Sequence, residues 1–189
     1  QAVRPDKILR LAMLFHDFGK PDCASADENG TDHFHGHGAV SSKMAEEILK
    51  RLRYDNDTID RVRELVYWHD MEILPEKRAV RRAASKVGKE LFPLLLEVKQ
   101  ADLAAQSDYQ RPQKEEWLRS LHDIYEQIQE EGDCLSLKDL AVTGRDLIAA
   151  GMKPGPQLGQ TLQNLLQLVL EDPSRNSKEY LLSNLPKET

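Results

Sequence analysis

The sequence predicts an all-α protein. Apolar residues recur at helical spacing in one segment after another, and glycine or proline closes several of these segments. No pair of strand-like segments joined by a hairpin turn is recognised. The chain has 189 residues, of which 40% are hydrophobic and 31% charged. This composition is typical of a folded globular protein and excludes wholesale disorder.

The first predicted helix covers residues 8–15, an apolar run that ends before a Gly-Lys-Pro stop. Residues 21–37 are largely polar and contain glycines, which predicts a loop. This loop holds His33 and His35, which we expect to be loop residues rather than metal ligands. Apolar spacing then predicts helices over residues 40–52, 57–66, 79–87, 91–106 and 117–128.

A polar Glu-Glu-Gly-Asp segment at residues 130–133 marks the predicted domain boundary. We predict a helical domain over residues 1–131 and a small helical subdomain over residues 132–189. The helices of the second part are predicted over residues 137–150, 156–171 and 177–185.

The formal charge of −6 excludes a wholly basic protein that wraps nucleic acid. A local basic cluster remains, because residues 76–90 contain six lysines and arginines against two acids. Two interpretations of this cluster are open. It is a solvated helix face, or it contacts RNA phosphates through Arg81 and Arg82.

No apolar stretch approaches the ~18–20 residues of a membrane span, and no signal peptide is visible. We therefore predict no membrane contact and a cytoplasmic location. The two cysteines, Cys23 and Cys134, lie far apart and predict neither a disulfide framework nor a zinc ribbon.

One set of histidines and aspartates has the composition of a metal site. His16 and Asp17 end the first predicted helix, His37 precedes the second, His69 ends the third, and Asp102 lies within an apolar helix. Imidazole and carboxylate together suit Mn, Fe, Co, Ni or Zn. Neighbouring residues of a helix project about 100° apart, so His16 and Asp17 reach one ion only where helices cross. Taken singly, each residue also has a structural explanation, such as a hydrogen-bonded core histidine.

The turn Gly-Met-Lys-Pro-Gly-Pro at residues 151–156 has features of an anion site. Gly155 permits close backbone approach, Pro156 opens a helix whose free N–H groups favour an anion, and Lys153 adds a cation. A phosphate of RNA fits this place. The alternative interpretation is a simple turn between two helices.

The segments LAMLFHDFGKP and HFHGHG, the later His69 and the aspartate of KQADLAAQ resemble the HD superfamily of metal-dependent phosphohydrolases. The resemblance implies His16, Asp17 and Asp102 as primary ligands of a divalent metal (Mn, Co, Ni, Fe, Zn or Mg). It implies that His37 and His69 serve a second metal or bind phosphate. Asp17, His37 and His69 are then the catalytic candidates. The superfamily also uses a histidine on an earlier helix, so we expect this chain to lack the first helix of that domain.

A narrower resemblance covers nearly the whole chain, including LAVTGRDLIAAGMKPGPQLGQTLQNLLQLVLEDPSRNSKEYLL. The chain is similar to the C-terminal body and tail of bacterial class II CCA-adding enzymes, the tRNA nucleotidyltransferases of the poly(A) polymerase type. This implies tRNA as a partner, a small phosphoester as substrate, and an N-terminal nucleotidyltransferase head outside this chain.

We expect no nucleotidyltransferase active site here, since the Gly-Ser motif and the paired aspartates of that head are not recognised. Arg81, Arg82, Lys153 and Gly155 are the expected RNA-binding residues. Two alternatives stay open: a stand-alone nucleotide phosphohydrolase of the HD type, and a catalytically silent RNA-binding helical module.

Overall fold

The computed structural model describes residues 3–28, 30 and 32–186, and it confirms the all-α class. Within these residues, no helix combines the length and apolar character that crossing a membrane requires. Among the described residues, three short 3-10 segments and a pair of two-residue strands accompany nine α-helices. The helices are α1 Lys7–Phe15, α2 His37–Arg51, α3 Asn56–Trp68, α4 Lys77–Val87, α5 Phe92–Ala105, α6 Arg111–Glu130, α7 Gly144–Ala149, α8 Pro156–Glu171 and α9 Lys178–Ser183.

The segment predicted as a plain loop contains more structure than expected. Its strands β1 (Ser25–Ala26) and β2 (Asp32–His33) pair antiparallel, so the expectation of no strand pair is wrong. A 3-10 turn, Pro21–Cys23, precedes them. Two-residue strands are too short to show the alternation by which a strand is recognised in a sequence.

The single helix predicted over residues 137–150 is interrupted. A 3-10 turn covers Leu137–Asp139, and α7 begins only at Gly144. Thr143 and Asp146 form a reciprocal capping box, in which Asp146 accepts hydrogen bonds from the Thr143 backbone and hydroxyl. This cap starts a new helix where the apolar spacing alone suggested a continuous one.

Aspartates also begin α1 and α3. Asp6 accepts hydrogen bonds from the first backbone N–H groups of α1. Asp55 accepts from the backbone and the hydroxyl of Thr58, and these bonds lower its pKa to about 2. Asp55 and Asp57 are spaced as Asp-x-Asp, although no paired aspartates were recognised in the sequence. Their positions at the start of α3 give Asp55 a capping role.

The described residues form two compact units. The first comprises residues up to 73 together with 89–122, and in it α1 packs against α3 and α5 while α2 packs against α3. Its core is apolar and closed to solvent, with fully buried side chains at Leu9, Leu49, Leu65, Phe92, Leu95, Leu96 and Leu121. This core holds the helix ends that carry the predicted metal ligands.

The second unit comprises residues 74–88 and 123 onward. In it α8 packs against α4 and α7, and fully buried side chains include Ile128, Leu147, Leu165, Leu170 and Leu181. This grouping differs from a division at residue 131, because α4 belongs with the C-terminal helices. Arg81 of α4 explains why, since it donates to the Leu170 carbonyl at 2.9 Å across 89 positions of sequence.

Candidate metal centre

Three histidine rings of the first unit are oriented by the same backbone contact. In each ring Nδ1 lies 2.7–2.9 Å from the carbonyl oxygen three residues earlier. A carbonyl only accepts, so Nδ1 carries the proton and Nε2 of the neutral ring presents a lone pair. The pairs are His16 with Met13, His37 with Phe34, and His69 with Val66.

The Nε2 atoms of His37 and His69 lie 3.0 Å apart, and both side chains are buried. Two facing lone pairs at this distance repel each other, so the pair requires a proton or a metal cation. Asp17 supplies the balancing charge, with Oδ1 3.5 Å from His37 Nε2 and 3.7 Å from His69 Nε2. These three side chains offer ligand atoms within 4.8 Å of one another and could hold a metal ion.

The other oxygen of Asp17 faces a second pair of residues. Oδ2 of Asp17 lies 3.3 Å from His16 Nε2, and His16 Nε2 lies 3.5 Å from Asp102 Oδ1. Asp17 therefore stands between His37 and His69 on one side and His16 and Asp102 on the other. The structure brings all five predicted ligands together.

The electrostatics of the cluster favour the metal-binding forms of Asp102 and His69, but not that of His16. When the His16 ring is protonated, its Nε2 donates to Asp102 and lowers the pKa of that carboxyl. Burial together with the two neighbouring imidazoles lowers the pKa of His69. Burial also acts to lower the pKa of His16, but the hydrogen bond to Asp102 and the other acceptors raise it overall. Asp102 is thus held ionised and His69 neutral, which are the forms that bind metal ions.

Two lysines complete the surroundings of the cluster. Lys20 Nζ lies 2.7 Å from Asp17 Oδ2, which places a positive charge beside the shared carboxylate. Lys99 is nearly buried and donates to the carbonyl oxygens of His69 at 2.7 Å and Met71 at 2.8 Å. By holding these carbonyls, Lys99 fixes the end of α3 that carries His69.

The role of Lys99 is absent from our interpretation of the sequence. A signal exists, since Lys99 is the one basic residue of the largely apolar helix α5, Phe92–Ala105. Its position three residues before Asp102 places both on the same helical face. Trp117 reinforces the contact, because its indole donates to the Ile73 carbonyl at 2.8 Å and its ring lies 5.8 Å from the Lys99 ammonium.

Two glycines allow the ligand-bearing segments to approach. A Cβ on Gly19 would lie 2.8 Å from the His37 carbonyl oxygen and from the Ser41 nitrogen. A Cβ on Gly38 would lie 2.9 Å from the Tyr67 carbonyl oxygen. Both contacts are with backbone, so a side chain at either position would push the His16–Asp17 turn or α3 away from α2.

The loop histidines stand apart from this cluster, as expected. His33 pairs with Asp27 at 3.2 Å, and its ring stacks on that of His35 with 5.3 Å between centroids. Neither joins the group of ligand atoms around Asp17.

Comparison with known proteins assigns the chain to a family. Residues 37–185 match the family described as tRNA nucleotidyltransferase domain 2. The chain belongs to this family. It is 34% identical over 164 residues to the CC-adding tRNA nucleotidyltransferase of Thermus thermophilus, covering 86% of this chain and 36% of that protein. It is 28% identical over 173 residues to the A-adding tRNA nucleotidyltransferase of Deinococcus radiodurans, covering 87% of this chain and 38% of that protein.

The chain thus spans little more than a third of the length of these curated relatives. The search of solved structures found no significant match. Membership in the family confirms the resemblance to the body and tail of CCA-adding enzymes inferred from the sequence.

Among the predicted RNA-binding residues of this family member, Arg81 requires correction. Its side chain is 7% exposed, and it donates to the Leu170 and Glu171 carbonyls and pairs with Asp133 at 3.1 Å. A guanidinium enclosed in this way holds α4 against the end of α8 and does not face a phosphate. The sequence placed Arg81 and Arg82 together in one basic cluster, but only packing decides which of two neighbouring helical residues points inward.

The other three predicted RNA contacts lie on the surface. Arg82 is exposed and pairs with Glu171. Lys153 and Gly155 are exposed in the turn before α8, which begins at Pro156 as predicted. Gly155 occupies the N-cap position of this helix.

Proposed function

We propose that this chain is the body and tail of a tRNA nucleotidyltransferase, which holds tRNA and carries a divalent-metal phosphohydrolase site of the HD type. Membership in the family supports the tRNA part of the proposal. The observation that carries the hydrolase part is the pair of Nε2 atoms of His37 and His69, 3.0 Å apart beside Asp17. Buried lone pairs in this arrangement are stabilised by a cation.

The donor set fits one or two divalent ions. Asp17, His37 and His69 would hold one ion, and His16 and Asp102 would hold a second that shares Asp17. Imidazole nitrogens favour Mn, Fe, Co, Ni or Zn over Mg, which prefers an all-oxygen environment. A bound divalent ion polarises a phosphoryl oxygen and makes water more acidic.

The chain's own residues supply the remaining chemistry. Asp17 would accept a hydrogen bond from the attacking water and orient it. Lys20, 2.7 Å from Asp17, would offset the negative charge of the substrate phosphate. Cyclic nucleotides, 2′,3′-cyclic RNA ends and small phosphomonoesters are the substrate candidates that the resemblance implies.

Metal binding is tested first by thermal unfolding of the chelator-treated protein with Mn²⁺, Co²⁺, Ni²⁺, Zn²⁺ or Mg²⁺. A ligand at 100 times its dissociation constant stabilises the folded state by about 2.7 kcal/mol. We expect this stabilisation in the wild type and its loss in Asp17→Asn. The matched control is Asp27→Asn, which removes an acid beside a histidine outside the cluster. An equal metal response in both variants would refute the site.

Hydrolysis is tested on the same metal-loaded protein with the three substrate classes. Asp17→Ala is expected to abolish turnover and leave the fold largely intact. Since a ligand carboxylate among buried groups is unfavourable without its metal, this variant is also expected to unfold at no lower temperature than the metal-free wild type. Unchanged turnover in Asp17→Ala would count against catalysis at this centre.

Binding of tRNA is tested by filter binding over a series of salt concentrations. If Lys153 contacts a phosphate, Lys153→Ala weakens all tRNAs alike and reduces the log–log salt slope by about one. Arg145→Ala is the control, because Arg145 is an exposed cation of the same unit outside the turn. If Lys153→Ala binds tRNA with wild-type affinity and wild-type salt slope, Lys153 makes no phosphate contact and residues 151–156 are a simple helix–helix turn.

A tRNA-binding module without hydrolase activity is the second candidate. One observation favours it, namely that Lys20 already places an internal cation 2.7 Å from the carboxylate that the ions would share. In that case the protein binds tRNA, and metal ions leave its unfolding temperature unchanged.

A further inference from the structure

The second unit contains a groove whose lining includes one of the four predicted RNA-binding residues, Arg82. It lies along α4 and α8, beside the segment around the 3-10 turn Leu137–Asp139, and has a volume of about 680 Å³. Four leucines line it, and its polar lining consists of Arg82, Ser85, Lys86, Ser136, Gln163 and Gln167.

The chemistry of this lining is selective. Among the described residues that line the groove, none is acidic, although the chain as a whole carries a charge of −6. Every polar lining residue is an arginine, lysine, serine or glutamine. These side chains are among those that contact the phosphates and sugars of nucleic acids.

The polar groups are also arranged in rows. Arg82 and Lys86 are four residues apart on α4, and Gln163 and Gln167 are four residues apart on α8. Residues at this spacing share one face of a helix and are separated by about 6 Å along its axis. Two donors one turn apart suit consecutive phosphates of a nucleic-acid strand.

We propose that this groove binds the sugar-phosphate backbone of tRNA, with the cations of α4 on phosphates and the glutamines of α8 on ribose hydroxyls. This rests on the proposed function of the chain as a tRNA-holding unit. The ion pair with Glu171 orients Arg82, and a guanidinium with five N–H donors retains others for a phosphate. The leucines provide an apolar surface for the ribose carbons.

The test compares Lys86→Glu with Arg145→Glu by filter binding of an unmodified tRNA transcript to the full chain. Both variants reverse one exposed cation of the same unit, but only Lys86 lines the groove. We expect Lys86→Glu to weaken binding about tenfold or more, the loss that accompanies one charged hydrogen bond. Its salt slope should fall by about one. Arg145→Glu should stay within about twofold of the wild type on this argument.

A second variant separates contact from overall charge. Gln167→Trp places a bulky neutral side chain in the groove at an exposed helical position, and it should weaken tRNA binding without changing the charge. If Gln167→Trp binds as the wild type does, or if Lys86→Glu and Arg145→Glu weaken binding equally, the groove is not the contact. Thermal unfolding of each variant shows that it is folded.

Two further outcomes identify other failures. If polyglutamate displaces tRNA as effectively as unlabelled tRNA does, the groove accepts an acidic polypeptide and the RNA assignment is wrong. If the wild type itself shows no salt-dependent affinity for tRNA, the proposed function fails, and this result is distinguishable from a failure of the groove alone.

Discussion

Replacing Lys99 by methionine tests how this lysine stabilises the segment that carries His69, one of the candidate metal ligands. Burial lowers the pKa of Lys99 from 10.5 to about 8, while its ammonium donates to the carbonyls of His69 and Met71. At neutral pH the substitution has two opposing effects on stability. It leaves two carbonyls without their donor, and it removes a buried charge. The pH dependence of stability is therefore more informative than its value at a single pH.

The sign of this dependence follows from the two pKa values. Between pH 8 and pH 10.5 the unfolded chain keeps the proton on Lys99 that the folded protein has released. Stability contributed by this group consequently rises with pH across that window. A shift from 10.5 to about 8 corresponds to at most about 3 kcal/mol. Lys99→Met lacks this contribution entirely.

The measurement is denaturant unfolding of wild type and Lys99→Met at several pH values across this window. As the pH rises across this window, the free energy of unfolding of the wild type should increase relative to that of the variant by up to about 3 kcal/mol. Other lysines and tyrosines titrate here too, but they are common to both proteins. Lys43→Met, at an exposed position, is the control and should run parallel to the wild type. A constant difference between wild type and Lys99→Met at all pH values would refute the assignment of Lys99 as a buried, proton-releasing support.

Two further predictions concern packing in each unit. Arg81→Met should lower the free energy of unfolding in urea by about 3–5 kcal/mol, because it leaves the Asp133 carboxylate without its ion-pair partner in a side chain that is only 7% exposed. Arg82→Met, on the surface, should change stability by no more than about 1 kcal/mol, and equal costs would contradict the buried role of Arg81. Gly19→Ala should cost about 1–3 kcal/mol, since the new Cβ meets backbone atoms at 2.8 Å. Gly159→Ala, with open space around it on α8, should stabilise by up to about 1 kcal/mol, and a neutral Gly19→Ala would show that the two segments can separate freely.

The local features of the fold were predictable because they depend on neighbouring residues. Apolar spacing and a terminal Gly-Pro pair predicted α8 over residues 156–171, and the structure has it at Pro156–Glu171. Where a local polar contact competes with apolar spacing, the prediction was wrong. The helix expected over residues 137–150 is divided because the capping box of Thr143 and Asp146 begins a new helix.

The composition of the candidate site was also predictable. His16 and Asp17 at the end of one helix, His37 before another and Asp102 within an apolar helix are unusual enough together to indicate a metal site. The orientation of their rings was not predictable. Each Nδ1 is held by a carbonyl three residues earlier, but the Nε2 atoms meet only because α1, α2 and α3 end or begin at one place in the core.

By itself, the sequence determined the helical class, the approximate position of most helices, the family resemblance and the set of candidate ligands, since these are properties of spacing and residue type. Only the tertiary structure decided that α4 joins the C-terminal unit, that Arg81 points inward while Arg82 points outward, and that Lys99 lies beneath His69. These depend on contacts such as that of Arg81 with Leu170, 89 positions apart. Contacts at that separation arise from how helices pack, and no local pattern of residues encodes them.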